Sequence, residues 1–200
     1  MGETVVYTVG HSNHSFQQFL TLLKPHSITA VADVRSQPHS RYNPQFDQDT
    51  LAKSLRKCGV HYVFLGKELG ARVSDPTLYR DGKAQYELIA KSDNFRAGIE
   101  RILRGMETQR IALLCSEKEP LACHRTILIG RHLHSLGLVV RHILHTGSLE
   151  NHDASLIRLV QLLGIAERHL FESPEDIFAA AYALQADRIA FSPKPVSRPA

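Results

Sequence analysis

RIALLCSEKEPLACHRTILIGRHL, residues 110–133, is the stretch on which the fold of this chain turns. Ile111 to Leu114 form a short apolar run of the kind that makes a buried strand, and it delivers Cys115, Ser116 and Glu117 to its carboxyl end. Pro120 marks a loop. Cys123, His124 and Arg125 then stand immediately before a second apolar segment, Ile127, Leu128, Ile129 and Leu133, whose spacing predicts a helix stopped by Gly137. Two thiols, a carboxylate, an imidazole and a guanidinium thus fall within one strand, loop and helix. In an open parallel sheet the carboxyl ends of the strands line the ligand crevice, and a helix N-terminus there presents free N–H groups. The stretch therefore points to an α/β fold and to the edge of the sheet where chemistry would sit.

Working outward, the same unit recurs. Thr4 to Val9 is β-branched and aromatic and runs into Gly10, His11, Ser12 and Asn13; Ser15 and Gln18 then form a capping box opening a helix with Phe16, Phe19, Leu20 and Leu23 on one face. Residues 28–34 (ITAVADV) give a second strand ending at Asp33, followed by Arg35 and by a proline-punctuated loop that carries Arg41. Leu51, Ala52 and Leu55 mark a helix closed by Gly59, and residues 61–65 (HYVFL) a third strand leading to Glu68. Residues 71–84 read as a long surface excursion, and Gln85 to Gly105 as helical with a break near residue 93, where Asp93 suits an N-cap. Residues 138–144 (LVVRHIL) form a further strand, 153–163 a helix ended by Gly164, and 174–187 a last helix. Strands alternating with helices predict one α/β domain over residues 1–190, with a mostly parallel sheet of about five strands covered by helices on both faces. Residues 191–200 are expected to be a flexible proline-rich tail.

Composition narrows the class. At 200 residues, 43% hydrophobic and 22% charged, the chain carries enough apolar material for a substantial core and is neither a disordered chain nor a small disulfide scaffold. Three cysteines are an odd number, no apolar run reaches the roughly 20 residues of a membrane span, and the N-terminus lacks an export pattern. A cytoplasmic protein with no membrane partner is expected. The net charge of +4 includes Lys194 and Arg198 of the tail, so the remainder carries a weak field that permits an anionic partner without requiring nucleic acid.

Four segments at the predicted edge, VGHSN at 9–13, DVRSQPHSR at 33–41, ELG at 68–70 and LLCSEKEPLACHR at 113–125, together resemble the bacterial and archaeal family named domain of unknown function 488. The resemblance spans roughly residues 4–145 in the same order. It implies a unified domain with its site at this edge, and it implies no substrate.

The residues themselves suggest roles. Cys115 is a candidate nucleophile, since neighbouring His124, Arg125 and a helix terminus favour a thiolate, although a cysteine ending an apolar strand is also ordinary packing. An anion loop of the phosphatase or rhodanese type needs an arginine six residues after the cysteine; Leu121 and Ile129 stand there. Glu117, His11 and His124 are candidate proton carriers. Arg35, Arg41 and Arg125 are candidate anion clamps, with structural pairing to Asp33, Glu68 and Glu117 as the competing use. Ser12, Asn13 and Cys123 complete the candidate binding set.

Zinc would favour Cys115, Cys123, His124 and His11, but no C-x-x-C knuckle is present and adjacent Cys and His side chains at a helix start are expected to diverge, so no metal ligand set is assigned. With neither a P-loop nor a dinucleotide fingerprint, no cofactor is expected. The functional reading is a hydrolase or transferase acting on a small anionic substrate, a nucleotide or modified nucleic-acid base foremost. The alternatives are a non-catalytic nucleic-acid-binding module and a thiol or metal sensor.

Overall fold

A computed structural model describes residues 4–165 and 173–193. The expected alternation is present. Strand β1 (Val5–Gly10) leads to helix α1 (Phe16–Leu23), β2 (Ala30–Asp33) to α2 (Gln48–Lys57), and β3 (His61–Phe64) to the single turn α3 (Gly66–Leu69). A small hairpin, β4 (Tyr79–Arg80) and β5 (Lys83–Ala84), precedes α4 (Tyr86–Lys91) and α5 (Asp93–Met106). Strand β6 (Ile111–Cys115) is followed by α6 (Arg131–Ser135), β7 (Val139–Ile143), β8 (Leu149–Asn151), α7 (His152–Leu163) and α8 (Pro174–Ile189). No helix among the described residues is long and apolar enough to cross a membrane.

The six-stranded sheet has the order β3-β2-β6-β1-β7-β8, parallel throughout except for β8, which lies antiparallel on β7. The sequence predicts about five strands; β8 is the addition. Its three residues, Leu-Glu-Asn, have no apolar alternation to announce them, and the backbone pairing with β7 alone defines it.

Side-chain alternation divides the core between the two faces of the sheet. Val6, Ala32, Leu113 and Val140 point to one cluster, which also holds Leu69, Phe95, Ile127 and Tyr182 from α3, α5, the wide helical segment Arg125–Gly130 that runs into α6, and α8. Tyr7, Val31, Leu114 and Ile143 point to the other, which α1 and α2 cover with Phe19, Leu23, Leu51 and Leu55. A strand buried on both faces has no polar alternation, which is why these runs read as continuous apolar segments.

Three local features differ from expectation. Residues 71–84 contain the β4–β5 hairpin, whose Asp81-Gly82 turn has both φ values positive (48° and 72°), the conformation an Asp-Gly pair favours between two strands. The cap of α5 is Ser92, whose Oγ accepts from Phe95 N–H at 3.2 Å, and Asp93 sits in the first turn, where its charge is stabilised by the positive end of the helix dipole. The start of the tail is packed: Ala84 N–H donates to Phe191 O at 2.9 Å and Ser192 Oγ donates to Gly82 O at 2.8 Å. Residues 194–200 lie outside the described residues.

The chain leaves β1 over one face toward β2 and leaves β6 over the opposite face toward β7. That divergence opens a crevice at the carboxyl ends of the central strands. The ladder continues into the loops there, with His11 N–H on Cys115 O at 2.9 Å and Ser12 N–H on Ser116 O at 3.0 Å.

Candidate functional site

Cys115 ends β6 with its side chain on the face shared with Val34 and Ile127. A short 3-10 turn at Pro120–Ala122 then returns the chain, and Cys123 is extended (φ −138°, ψ 140°) while His124 is already helical (φ −60°, ψ −25°). That change of backbone region between neighbours brings both side chains to one point. The expected divergence of Cys123 and His124 is therefore overturned by the local dihedral angles. His124 Nδ1 lies 3.7 Å from Cys115 Sγ and 3.8 Å from Cys123 Sγ. Both cysteines are buried, at 3% and 1% exposure.

His124 Nε2 lies 3.0 Å from Val34 O, an acceptor only, so Nε2 carries the hydrogen and Nδ1 is the nitrogen turned toward the sulfurs. Cys123 Sγ accepts the Arg125 N–H at 3.4 Å and, as a thiol, donates to Glu117 Oε2 at 3.0 Å. Glu117 is exposed along its outer side while this oxygen reaches inward.

The charges follow from that packing. Burial pushes the Cys115 thiol well up, and its hydrogen bond with Cys123 and the negative charge there push it further. Burial opposes ionisation of Cys123 as well, but the hydrogen bond from Cys115 and the positive charges of Arg125 and His124 outweigh it and hold Cys123 well below the usual thiol range. Glu117 is raised by burial and by the Cys123 charge. His124 is raised despite its burial, because it faces that same sulfur. The thiol poised to ionise is Cys123, the one first read as a binding residue; Cys115 keeps its proton.

The arginines divide differently from the sequence reading. Arg125 is fully buried beneath the loop after β6 and spends NH1 on Glu117 O at 2.8 Å, so it braces that loop. Arg35 grips Asp33 with two hydrogen bonds of 2.9 and 2.5 Å and donates to Phe46 O at 2.8 Å. Asp33 is completely buried and also accepts from Tyr62 Oη at 2.7 Å. His11 is buried, stacks on Phe46, and is lowered to about 4, first by burial and then by Arg35. Its Nδ1 donates to Ser12 O at 2.8 Å, which leaves Nε2 to accept from Arg35 NH1 at 3.2 Å. Both ring nitrogens are thereby engaged, and His11 orients Arg35.

A cavity of about 280 Å³ opens above the cluster. Cys115, Cys123, His124 and Glu117 line it, with Arg35 on one side. Ser12, Asn13, Arg41 and Glu68 are outside the lining. Ser12 instead takes a left-handed turn (φ 48°) with its hydroxyl on Asn13, Arg41 is exposed, and Glu68 pairs with Arg101 of α5. The cavity wall adds Arg72, His39 and Phe191, none of which the sequence reading selected. Arg72 donates to Gln37 Oε1 at 3.0 Å and lies over the Phe191 ring at 4.9 Å. Phe191 reaches the site from the far end of α8, so no spacing in the sequence could reveal it.

Fold and site together define an α/β protein with a buried thiol, imidazole and carboxyl cluster at the carboxyl edge of a mostly parallel sheet. The family model for Domain of unknown function DUF488 matches residues 15–131, more than half of the chain, and the chain belongs to that family. Comparison with curated proteins and with solved structures gives no match.

Proposed function

We propose that this protein is an enzyme, a hydrolase or transferase, that takes one small anionic substrate into the cavity above Cys115 and Cys123. The observation that carries the reading is the composition of that cavity: a floor of two thiols with pKa values driven apart, a carboxyl raised above its ordinary range, and a rim bearing Arg72. Pairs of titratable groups whose surroundings separate their pKa values mark acid and base assignments. Glu117 is the proton carrier, as the carboxyl that lines the cavity beside Cys123 and is raised above its ordinary range by burial. Cys123 supplies the electron-rich sulfur, and Cys115 and His124 hold it in place.

A nucleotide or modified nucleic-acid base is the substrate class that fits best. At about 280 Å³ the cavity is near the lower limit of small-molecule sites, roughly 300 Å³, which suits one base or nucleotide better than a polymer. Arg72, seated over the Phe191 ring, offers a planar cation against which a base can stack and to which an anionic group can pair.

A thermal-shift screen against nucleobases, nucleosides, nucleotides and short DNA and RNA tests this, run on the wild type and on Arg72→Ala. A true ligand at about 100 times its Kd adds about 2.7 kcal/mol to stability. The expected result is a small-molecule shift that Arg72→Ala abolishes, with Glu117→Gln still binding and no longer turning over. Stabilisation by DNA or RNA alone, weakening steeply with salt, would instead establish a nucleic-acid-binding module.

A further inference from the structure

We infer that Cys115 Sγ, Cys123 Sγ and His124 Nδ1 are three ligands of a thiophilic divalent cation, zinc by chemistry, whose fourth position opens into the cavity. This deepens the reading above, supplying the Lewis acid of the same pocket, and in that sense rests on it; the ligand geometry stands by itself.

The three donor atoms lie within 4.8 Å of one another. A tetrahedral site with Zn–S of about 2.3 Å and Zn–N of about 2.0–2.1 Å has S···N edges of about 3.6 Å. The two S···N separations are 3.7 and 3.8 Å, close to that edge length. Ordinary packing of two thiols and an imidazole does not require both edges to match that value.

A second observation points the same way. Ligating histidines characteristically donate their other ring N–H to a carbonyl or carboxylate, which fixes the tautomer and aims the free nitrogen. His124 does this with Val34 O at 3.0 Å. Cys123 Sγ has a backbone N–H partner from Arg125 at 3.4 Å, as an outer support for a thiolate would be placed. The buried Arg125 guanidinium adds positive charge behind the sulfurs.

Donor chemistry selects the ion. Two thiolates and an imidazole suit zinc and exclude magnesium and calcium, which take oxygen ligands. Two thiolate charges cancel the charge of the cation, so binding releases the protons the free thiols hold. Three protein ligands with an open fourth position is the arrangement of catalytic zinc sites, whereas structural sites are closed by four. Glu117, 3.0 Å from Cys123 Sγ and exposed to the cavity, stands where it can accept a proton from a water in that position.

The test is metal binding by the intact chain, stripped with a chelator and titrated with zinc against a chromophoric competitor, then with Co²⁺ as a spectroscopic probe. One equivalent should bind, with a thiolate-to-cobalt charge-transfer band and loss of two of the three thiols to a thiol reagent. Cys58→Ser, at an exposed thiol, should bind unchanged. Cys115→Ser and Cys123→Ser should each weaken binding by more than about 100-fold, the upper end of what losing only an outer-shell partner costs. Circular dichroism checks the fold of each variant, and the wild-type cobalt spectrum decides the matter even where a variant fails to fold. No stoichiometric uptake by the wild type, or a cobalt spectrum without thiolate bands, overturns the inference. Zinc uptake without small-molecule binding by the stripped or the loaded protein would leave the metal site standing and remove the substrate reading; small-molecule binding without uptake would do the reverse.

Discussion

Acidification from pH 6.5 to 4.5 should destabilise this protein sharply, and the cause is its neutral buried histidines. His11 and His152 are each lowered from 6.5 to about 4, in both cases first by burial, and are 3% and 2% exposed. His142, completely buried between Thr8 and His152, is held low in the same way. A histidine lowered on folding contributes stability that is fully present above its unfolded pKa and is lost as pH falls toward the folded one. Each pKa unit is worth about 1.4 kcal/mol, so with titration starting only at the unfolded value, two units of acidification remove about 2 kcal/mol for each of His11 and His152, about 4 kcal/mol together. His124, raised on folding, acts in the opposite sense, adding stability as pH falls through its unfolded value, and offsets part of this loss. The lowered Glu150, held chiefly by Arg158 against its burial, adds its loss only below pH 4.5. For a chain of this length about 4 kcal/mol corresponds to a fall in Tm of roughly 8–16 °C. Calorimetry or dichroism melts at half-unit intervals would measure it, and a His152→Gln variant should shed one proton from the slope. A Tm that stays flat between pH 6.5 and 4.5, or NMR titration of the His11 and His152 rings near 6.5, would refute the reasoning.

Three further outcomes follow from the site. In metal-free protein at pH 7, iodoacetamide should alkylate Cys123 before Cys115 by peptide mapping, since Cys123 is held below the usual thiol range and Cys115 above it; the opposite order would reverse their roles. Asp33→Asn should cost about 3–5 kcal/mol in urea unfolding, because it strands the buried Arg35 guanidinium and weakens the Tyr62 hydrogen bond. Gly10→Ala should destabilise by about 1–3 kcal/mol and loosen the site, as its Cβ would stand 1.9 Å from Glu117 O, the carbonyl that Arg125 holds; a variant as stable as wild type would show that this loop yields freely.

Much of the fold was legible because it rests on local rules. Ser15 and Gln18 satisfy each other's backbone groups at 3.2 and 2.8 Å as the capping box requires. Gly59, Gly137 and Gly164 end their helices with positive φ, where a side chain would be strained. Continuous apolar runs in β2 and β6 reported strands covered on both faces. The short β8 escaped because pairing with β7, and no pattern of its own, makes it a strand. For the site, the order of strand ends placed Asp33, Arg35, Cys115 and Cys123 at one edge, and that was readable.

What the sequence by itself determined is the α/β class, the sheet edge that carries the polar residues, and the identity of the chemical groups available there. Tertiary structure alone decided which of them face one another. Arg125 turns under its loop and Arg35 toward Asp33, so neither is the free clamp its residue type suggests. Cys123 becomes the ionising thiol because burial penalises both sulfurs while only one sits against the charges of Arg125 and His124. Phe191 and Arg72 meet across 118 intervening positions to wall the cavity. The physical reason is common to these cases: strand and helix periodicity act within a few residues, whereas desolvation and charge depend on neighbours that only packing brings close.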